Sequence, residues 1–166
     1  MIEPLKTHVR VLSVDPSTNG FGFAVLEGTD QLIDWGVAKV WSKRTRESLA
    51  RVENLVDRYQ PNLIVVESVN DTRRRLRARS RIVAIARYAL SRRIAVRMVS
   101  RKQVRSAFQD FGLTKFEIAL AIAKTFPELA PRMPRYRKPW MSEDERMNIF
   151  DAVSFSLAAL SSDQKQ

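Results

Sequence analysis

The segment that most constrains the fold is MNIFDAVSFSLAAL, residues 147–160. Its apolar side chains leave no wide polar face, so the pattern predicts a helix that is buried nearly all round. Asp151 nevertheless lies inside this segment. An isolated buried carboxylate is strongly destabilising unless a charge or a metal ion compensates it. The fold must therefore surround this helix with other elements and bring a cation to Asp151.

A chain of 166 residues is long enough for one domain with its own core. We expect this domain to span residues 1–160, and residues 161–166 to form a flexible tail. The absence of cysteine excludes disulfides and thiolate metal sites. It fits a reducing, cytoplasmic compartment, with a phage or organelle origin left open. No apolar run has the length of a signal-peptide core or a membrane span, so no membrane partner is expected.

The charge balance indicates a polyanionic partner. There are 29 Lys+Arg against 18 Asp+Glu, which gives a net charge of +11. Nine of the 21 residues over 73–93 are arginine, and arginine grips phosphate in bidentate fashion. A solvated basic helix without a ligand is the alternative. The candidate nucleic-acid contacts are Arg73, Arg74, Arg75, Arg77, Arg79 and Arg81, then Lys102, and then Arg135, Arg137 and Lys138 of a later loop.

The hydrophobic patterns predict an α/β domain. Strands are expected over residues 9–14, 22–26, 31–40, 63–66 and 94–99. Helices are expected over residues 45–59, 72–93, 101–111, 114–126 and 142–160. Capping boxes at Thr114–Glu117 and Ser142–Glu145 predict the starts of the last two helices. Three meandering strands followed by alternating helices and strands indicate a mixed sheet, antiparallel first and then parallel, flanked by helices.

Three acidic residues adjoin the predicted core at separate places in the chain. Asp15 follows the first strand, Glu67 follows the fourth, and Asp151 lies on the buried helix. Sites in open α/β sheets gather at the carboxyl ends of strands, and a shared Mg²⁺ would compensate all three charges. Each residue also has a simpler interpretation. Asp15 could start a turn, Glu67 could cap the next segment or pair with arginine, and Asp151 could form a buried ion pair with an arginine.

Four segments, in this order, resemble the RuvC-type Holliday-junction resolvases of the ribonuclease-H-like superfamily. VLSVDPSTNGFG, residues 11–22, resembles their opening strand and turn, and LIVVE, residues 63–67, their second acidic strand. VSRKQVR, Gly112 and TKFEI, within residues 99–118, resemble the segment that carries their basic active-site residues. NIFDA, residues 148–152, resembles their closing helix, whose pattern is acid-x-x-Asp-Ala. The resemblance implies a ribonuclease-H-like, mixed five-stranded sheet.

The resemblance also implies roles for individual residues. Asp15, Glu67 and Asp151 would be ligands of Mg²⁺, with Mn²⁺ able to substitute, and Arg105 and Lys115 would lie near the scissile phosphate. The fourth acid of the family falls on Asn148, whose amide oxygen can bind Mg²⁺ without adding charge. Asp144, one turn earlier on the same face of the expected helix, is the candidate substitute.

The function implied is that of a Mg²⁺-dependent endonuclease that resolves four-way DNA junctions by paired nicks, as a homodimer. Two alternatives stay open from the residues alone. The chain could cut RNA in RNA–DNA hybrids, or it could be a junction- or RNA-binding protein whose site is impaired at Asn148. The loop over residues 132–140 mixes cations with Tyr136 and Trp140, so it either stacks on unpaired bases or forms a lid packed by Trp140.

Overall fold

Five strands form one mixed sheet in a computed structural model, which describes residues 9–40, 45–71 and 76–163. The strands are β1 (Arg10–Ser17), β2 (Gly20–Glu27), β3 (Gln31–Lys39), β4 (Leu63–Glu67) and β5 (Ala95–Val99). Their order across the sheet is β3-β2-β1-β4-β5. The β1–β2 and β2–β3 pairs are antiparallel, and the β1–β4 and β4–β5 pairs are parallel. The predicted fold class is confirmed.

Five α-helices connect and cover these strands. They are α1 (Thr45–Tyr59), α2 (Leu76–Ser91), α3 (Arg101–Ala107), α4 (Lys115–Thr125) and α5 (Met147–Asp163). Short 3-10 helices span Val69–Asp71 and Pro127–Arg132. The capping box of α4 is confirmed, because Thr114 accepts the backbone N–H of Glu117 and Glu117 reaches back to the backbone of Thr114.

The predicted ends of the last helix are wrong. It begins at Met147 rather than at residue 142. Asp144 accepts the backbone N–H of Arg146 at 2.9 Å and also pairs with the Arg146 guanidinium. This local side-chain pairing competes with a helical first turn. At the other end α5 continues to Asp163, so the first three residues of the expected tail are helical, and residues 164–166 lie outside the described part.

Helices cover both faces of the sheet. One core is formed by α3, α4 and α5 against one face, and the other core by α1 and α2 against the opposite face. In β4 the side chains alternate between the two cores, and every residue is buried, as expected for a strand covered on both sides. The helix α5 is buried nearly all round from Met147 to Leu160, which confirms the interpretation of its sequence.

None of the helices in the described part of the chain is both long enough and apolar enough to cross a membrane.

Candidate active site

Two of the three acidic residues meet at the carboxyl edge of the sheet. Val14 of β1 lies opposite Val66 of the parallel strand β4, so Asp15 and Glu67 are one step further along adjacent strands. Strand residues alternate between faces, and Asp15 and Glu67 share the parity of the residues that face α5. Both are buried. The strand β1 itself continues to Ser17, three residues beyond the predicted end.

The helix α5 brings the third acidic residue to the same edge because a glycine lets it approach closely. Gly22 of β2 pairs with Asp15 in the register of the sheet. A Cβ atom at Gly22 would lie 2.4 Å from the backbone carbon and oxygen of Asn148, which no packed structure allows. The first turn of α5 therefore rests directly on the β2 backbone. Asp151 follows one turn later and is also buried.

A guanidinium group joins the three carboxylates. Arg101 Nε donates to Glu67 Oε1 at 2.9 Å, and Arg101 Nη1 donates to Asp151 Oδ1 at 2.7 Å. Arg101 Nη2 lies 4.0 Å from Asp15 Oδ1. The guanidinium also lies over the ring of Phe155, 4.9 Å from the ring centre. Asp151 is therefore compensated in this structure by an arginine, as the ion-pair interpretation of the sequence anticipated.

Lys115 supplies a second cation at the first position of α4. Its Nζ donates to Asp151 Oδ2 at 2.9 Å and to Glu143 Oε1 at 2.9 Å. Neutral partners for Asp151 would leave a buried charge, whereas two cations hold it by charge-assisted hydrogen bonds. The cluster is an anionic pocket closed by two cationic side chains, Arg101 and Lys115.

The electrostatic compensation is uneven within the cluster. Burial alone would raise the pKa of Asp151, but Arg101 and Lys115 outweigh burial, and the pKa lies below its usual value. Burial and then the Asp151 charge raise the pKa of Asp15 well above its usual value, although Arg101 opposes them. Among the described residues no side chain or backbone group hydrogen-bonds the Asp15 carboxylate. Asp15 is thus the acid that most needs a further cation.

The carboxylate oxygens of the cluster suit a hard divalent ion, but the three carboxylates are arranged around the Arg101 guanidinium. Carboxylate oxygens are the ligands that Mg²⁺ prefers, and Asp15 retains unused lone pairs. Within the described ranges, however, no group of three or more acidic or histidine side chains is spaced to hold a metal ion as it stands. Arg101 contacts all three carboxylates, so an ion could bind to them only after this side chain moves away.

The other predicted site residues are Asn148, Arg105 and Asp144, and they do not all lie at the carboxylate cluster. Asn148 is buried one turn before Asp151, next to Gly22. Arg105 is exposed, and it lines a cavity of about 230 Å³ together with Arg101, Lys115 and Asp151. Asp144 pairs with Arg146 ahead of the helix and makes no contact with the three carboxylates. The expectation that Asp144 shares a helix face with Asp151 is therefore wrong.

Two members of this site were missed by the sequence analysis. Arg101 and Glu143 were not among the candidates, although one signal for Arg101 was present. Ser100 and Gln103 form a capping box directly after β5. The first helical residue, Arg101, consequently lies at the same sheet edge as Glu67, which pairs with Val99. Nothing in the sequence marked Glu143.

The predicted nucleic-acid contacts fall into three groups. Arg79, Lys102, Arg135, Arg137 and Lys138 are exposed. Arg73, Arg74, Arg75 and the side chain of Arg77 lie outside the described residues. Arg81 requires a correction, because it is buried and its guanidinium donates to the carbonyls of Ser17, Thr18 and Gly20 at the β1–β2 turn. Arg81 fixes the turn after Asp15 and has no surface for DNA.

Comparisons with known proteins support the fold. No protein-family model matches the chain, and no curated protein matches it in sequence. The solved structure of T. thermophilus RuvC in complex with a Holliday junction substrate matches with a TM-score of 0.68 at 19% identity, over 95% of this chain and 96% of that one. A second Thermus thermophilus RuvC structure matches with a TM-score of 0.67 at 20% identity, over 95% and 97% of the two chains. The chain thus has the fold of RuvC along nearly its whole length.

Proposed function

We propose that the chain is a metal-dependent endonuclease that cuts four-way DNA junctions by paired nicks. One observation supports this most directly: Asp15, Glu67 and Asp151 converge with Lys115 at one edge of the sheet. The fold around them is shared with RuvC, one structure of which is a complex with a Holliday junction. The basic surface and the net charge of +11 fit the same substrate class.

Asp15, Glu67 and Asp151 would hold Mg²⁺, and Mn²⁺ is expected to substitute. Asn148 would offer its amide oxygen as a further ligand. When bound, the ion would lower the pKa of a water molecule and stabilise the charge of the phosphoryl group. Arg101 holds the same carboxylates, so it and the ion compete. The Arg101 side chain is 26% exposed, and it can therefore turn outward toward the phosphate of a bound strand.

The two remaining cations of the site lie where a scissile phosphate would enter. Lys115 and Arg105 line the cavity that opens onto Asp151. Lys115 keeps its charge near neutral pH, since Asp151 raises the pKa of its amino group in spite of burial. A fixed positive charge beside the reacting phosphate stabilises the transition state of in-line hydrolysis. Lys115 would bind a phosphate oxygen, and Arg105 would bind the neighbouring backbone.

The helix α2 supports a dimeric assembly. Leu76, Val83 and Leu90 follow one another at seven-residue intervals, and all three are exposed. The same face also carries Ser80 and two exposed arginines, Arg79 and Arg87. In the proposed dimer the apolar side chains of this stripe would pack against those of a second copy across a two-fold axis. A symmetric dimer would present two sites, one for each of two opposing strands of a junction.

The decisive experiment incubates the protein with an end-labelled four-way junction and Mg²⁺. We expect paired nicks that leave 5′-phosphate and 3′-hydroxyl ends, and no nicks with Asp15→Asn or Asp151→Asn. Asp110→Asn is the matched control, because Asp110 is exposed and is not among the residues that line the cavity beside Asp151. A labelled RNA–DNA hybrid is incubated in parallel. If the protein cut only the hybrid, the RNA–DNA hybrid and not the junction would be its substrate.

A binding protein without nuclease activity is the second candidate. Two observations favour it: Asn148 stands where the family has an acid, and Arg101 already neutralises the carboxylates. This candidate predicts tight, salt-sensitive junction binding and no cutting in either Mg²⁺ or Mn²⁺. Restoring the acid with Asn148→Asp would then produce cutting, whereas an active nuclease needs no such change.

A further inference from the structure

The longest connection in the described chain runs beside the acidic cluster. Residues 133–146 form a 14-residue segment without regular structure, between the second 3-10 helix and α5. Ordered loops of this length are uncommon in compact domains, and they usually bind or cover something. The loop and the start of α4 enclose a groove of about 280 Å³. This volume lies at the small end of the range for ligand pockets.

We propose that this groove binds one unstacked nucleobase of the strand that is cut, next to the scissile phosphate. The proposal rests on the proposed function, because it takes DNA as the substrate. It goes further in placing Phe116 and Met147 beside Tyr136 in one base-binding site, whereas the sequence analysis selected only the loop that contains Tyr136.

The groove has the surfaces that a planar base requires. Its floor is apolar, since Pro134 and Met147 are buried. Phe116 and Tyr136 form one wall, with ring centres 5.4 Å apart and ring planes at 90°. The two rings therefore pack edge to face, while Tyr136 remains 70% exposed. An exposed aromatic ring beside an apolar floor is a stacking platform for an unpaired base.

The rim of the groove carries charges suited to a nucleotide. Arg135 and Arg137 are exposed at the rim and can bind the phosphates on either side of the base. The carboxylate of Glu143 faces the same groove, where its Oε1 accepts from Lys115 Nζ at 2.9 Å and its Oε2 lies 3.8 Å from Arg137 Nη1. A lone pair that these cations leave open would accept an exocyclic amino group of the base. An amino-bearing base is therefore favoured over thymine.

The alternative role for this loop, a lid packed by Trp140, has little support. Trp140 is 79% exposed, and its ring contact is with the Lys138 ammonium, 5.4 Å from the ring centre. It does not pack over the acidic cluster. The loop thus presents its aromatic residues outward, which suits binding of bases and gives no cover to the site.

One side chain links the groove to the acidic cluster. Lys115 lines the groove, and its Nζ lies 2.9 Å from both Glu143 Oε1 and Asp151 Oδ2. These two oxygens are consequently no more than about 6 Å apart. A base held in the groove would place its own phosphate at the cluster, and an amino group that binds Glu143 would loosen the hold of Glu143 on Lys115.

A protein–base double-mutant cycle tests the proposal. Wild type and Tyr136→Ala are titrated in EDTA against a four-way junction and a single-stranded oligonucleotide, each with an abasic site scanned through the central positions. At one position near the exchange point, base removal should weaken binding by the wild type about 10-fold. Tyr136→Ala should weaken binding to the intact substrate by a similar factor. Combining the two changes should cost nothing further.

The controls separate failure of this proposal from failure of the proposed function. Tyr136→Phe keeps the ring and should bind as the wild type does. Phe111→Ala removes an aromatic residue of similar exposure, 66%, from outside the groove, and its effect should be additive with every abasic site. Additive effects of Tyr136→Ala at every position on both substrates would overturn the proposal. Paired nicking that persists in that case would leave the proposed function standing, and coupling confined to the single strand would support the groove without the junction.

Discussion

Arg101 pairs with the buried acidic residues of the candidate active site, so it affects both the stability of the fold and the binding of a metal ion there. Three buried acidic residues share two cations, the guanidinium of Arg101 and the amino group of Lys115. Removing one partner of a buried ion pair leaves a desolvated charge, which costs more than the pair itself contributes. Arg101 therefore supplies the cation that these acidic residues need in the structure described. In the proposed metal-bound state a divalent ion would replace this monovalent cation, and the additional positive charge would favour the ionised form of Asp15.

Replacement of Arg101 by glutamine should destabilise the metal-free protein and should be rescued by Mg²⁺. We expect the free energy of unfolding to fall by about 3 kcal/mol in EDTA, the lower end of the range for a broken buried pair, because the side chain is partly exposed. Millimolar Mg²⁺ should restore most of that loss, since an ion bound only by the folded state stabilises it. Urea unfolding with and without Mg²⁺ measures both quantities.

Arg92→Gln is the matched control for this prediction. Arg92 pairs with Asp57 at 3.4 Å on the surface, and both side chains are more than half exposed. Such a pair contributes about 0–1 kcal/mol, so the control should change little in either buffer. If Arg101→Gln lost the same stability in Mg²⁺ as in EDTA, the ion and the guanidinium would not share the carboxylates.

Asp15→Asn should stabilise the metal-free protein while it abolishes cutting. Burial and the Asp151 charge raise the pKa of Asp15, so the folded state favours its neutral form. A group whose pKa is raised on folding contributes stability at low pH, and that stability is lost as the pH rises through the folded value. Asparagine does not ionise, so the variant keeps this stability as the pH rises. The melting temperature of the variant in EDTA should exceed that of wild type at pH 8, by about 2–4 °C for each kcal/mol, and should match it at pH 4. An unchanged difference across this pH range would contradict the assignment.

The contact between Gly22 and the first turn of α5 controls the position of a whole element. We expect Gly22→Ala to cost about 1–3 kcal/mol, the range for overpacking, because its Cβ would clash with the backbone of Asn148. Shifting α5 would also carry Asp151 away from Glu67, so nicking should fall more than stability does. Gly36→Ala is the control in the same sheet, since its Cβ would meet only the end of the Phe23 ring, at 3.1 Å. Thermal unfolding and nicking rates are measured for both variants, and equal effects would show that the α5 contact is not special.

The elements that could be predicted from sequence are those that local patterns determine. The short apolar runs of β1 and β4, and the apolar helix α5, predicted both the sheet and the meeting of Asp15, Glu67 and Asp151. The start of α5 could not be predicted, because pairing of Asp144 with Arg146 replaces the capping box at Ser142. Two local motifs compete there, and the sequence does not reveal which one is more stable.

Partners in ion pairs were beyond prediction for a different reason. The chain offers many arginines, and which of them reaches Asp151 depends on where β5 ends in three dimensions. The burial of Arg81, in contrast, could have been predicted from its position on the helix. It shares the helix face of Ala78, Ile82 and Ile85, all of which are buried. Helical periodicity thus favoured burial of Arg81, and the density of arginine obscured this.

At the scale of the molecule, net charge determines how binding responds to salt. A protein that neutralises six to eight phosphates should show a log–log dependence of the association constant on salt with a slope of roughly −5 to −7. Replacement of the exposed Arg135 by glutamine should reduce the slope by about 1, whereas Arg81→Gln should leave it unchanged, since Arg81 is buried. Titration of a junction by anisotropy at several salt concentrations measures the slopes. Equal changes in both variants would return Arg81 to the binding surface.

In the proposed dimer, the apolar stripe on α2 would determine whether the two sites act together. Val83→Glu places a charge at the centre of this stripe, and both copies carry it across a two-fold axis. We expect the dissociation constant of the dimer to rise about 100-fold, as for the loss of a central interface residue. Leu120→Glu is the control, because Leu120 has a similar exposure on α4, outside the stripe.

Sedimentation measures the assembly, and nicking of a junction in a supercoiled plasmid distinguishes paired cuts from single ones. The monomer should still nick one strand, since each chain has its own carboxylates, but the second nick should no longer follow within the lifetime of one complex. A Val83→Glu protein that stays dimeric and still makes paired nicks would move the dimer interface to another face of the molecule.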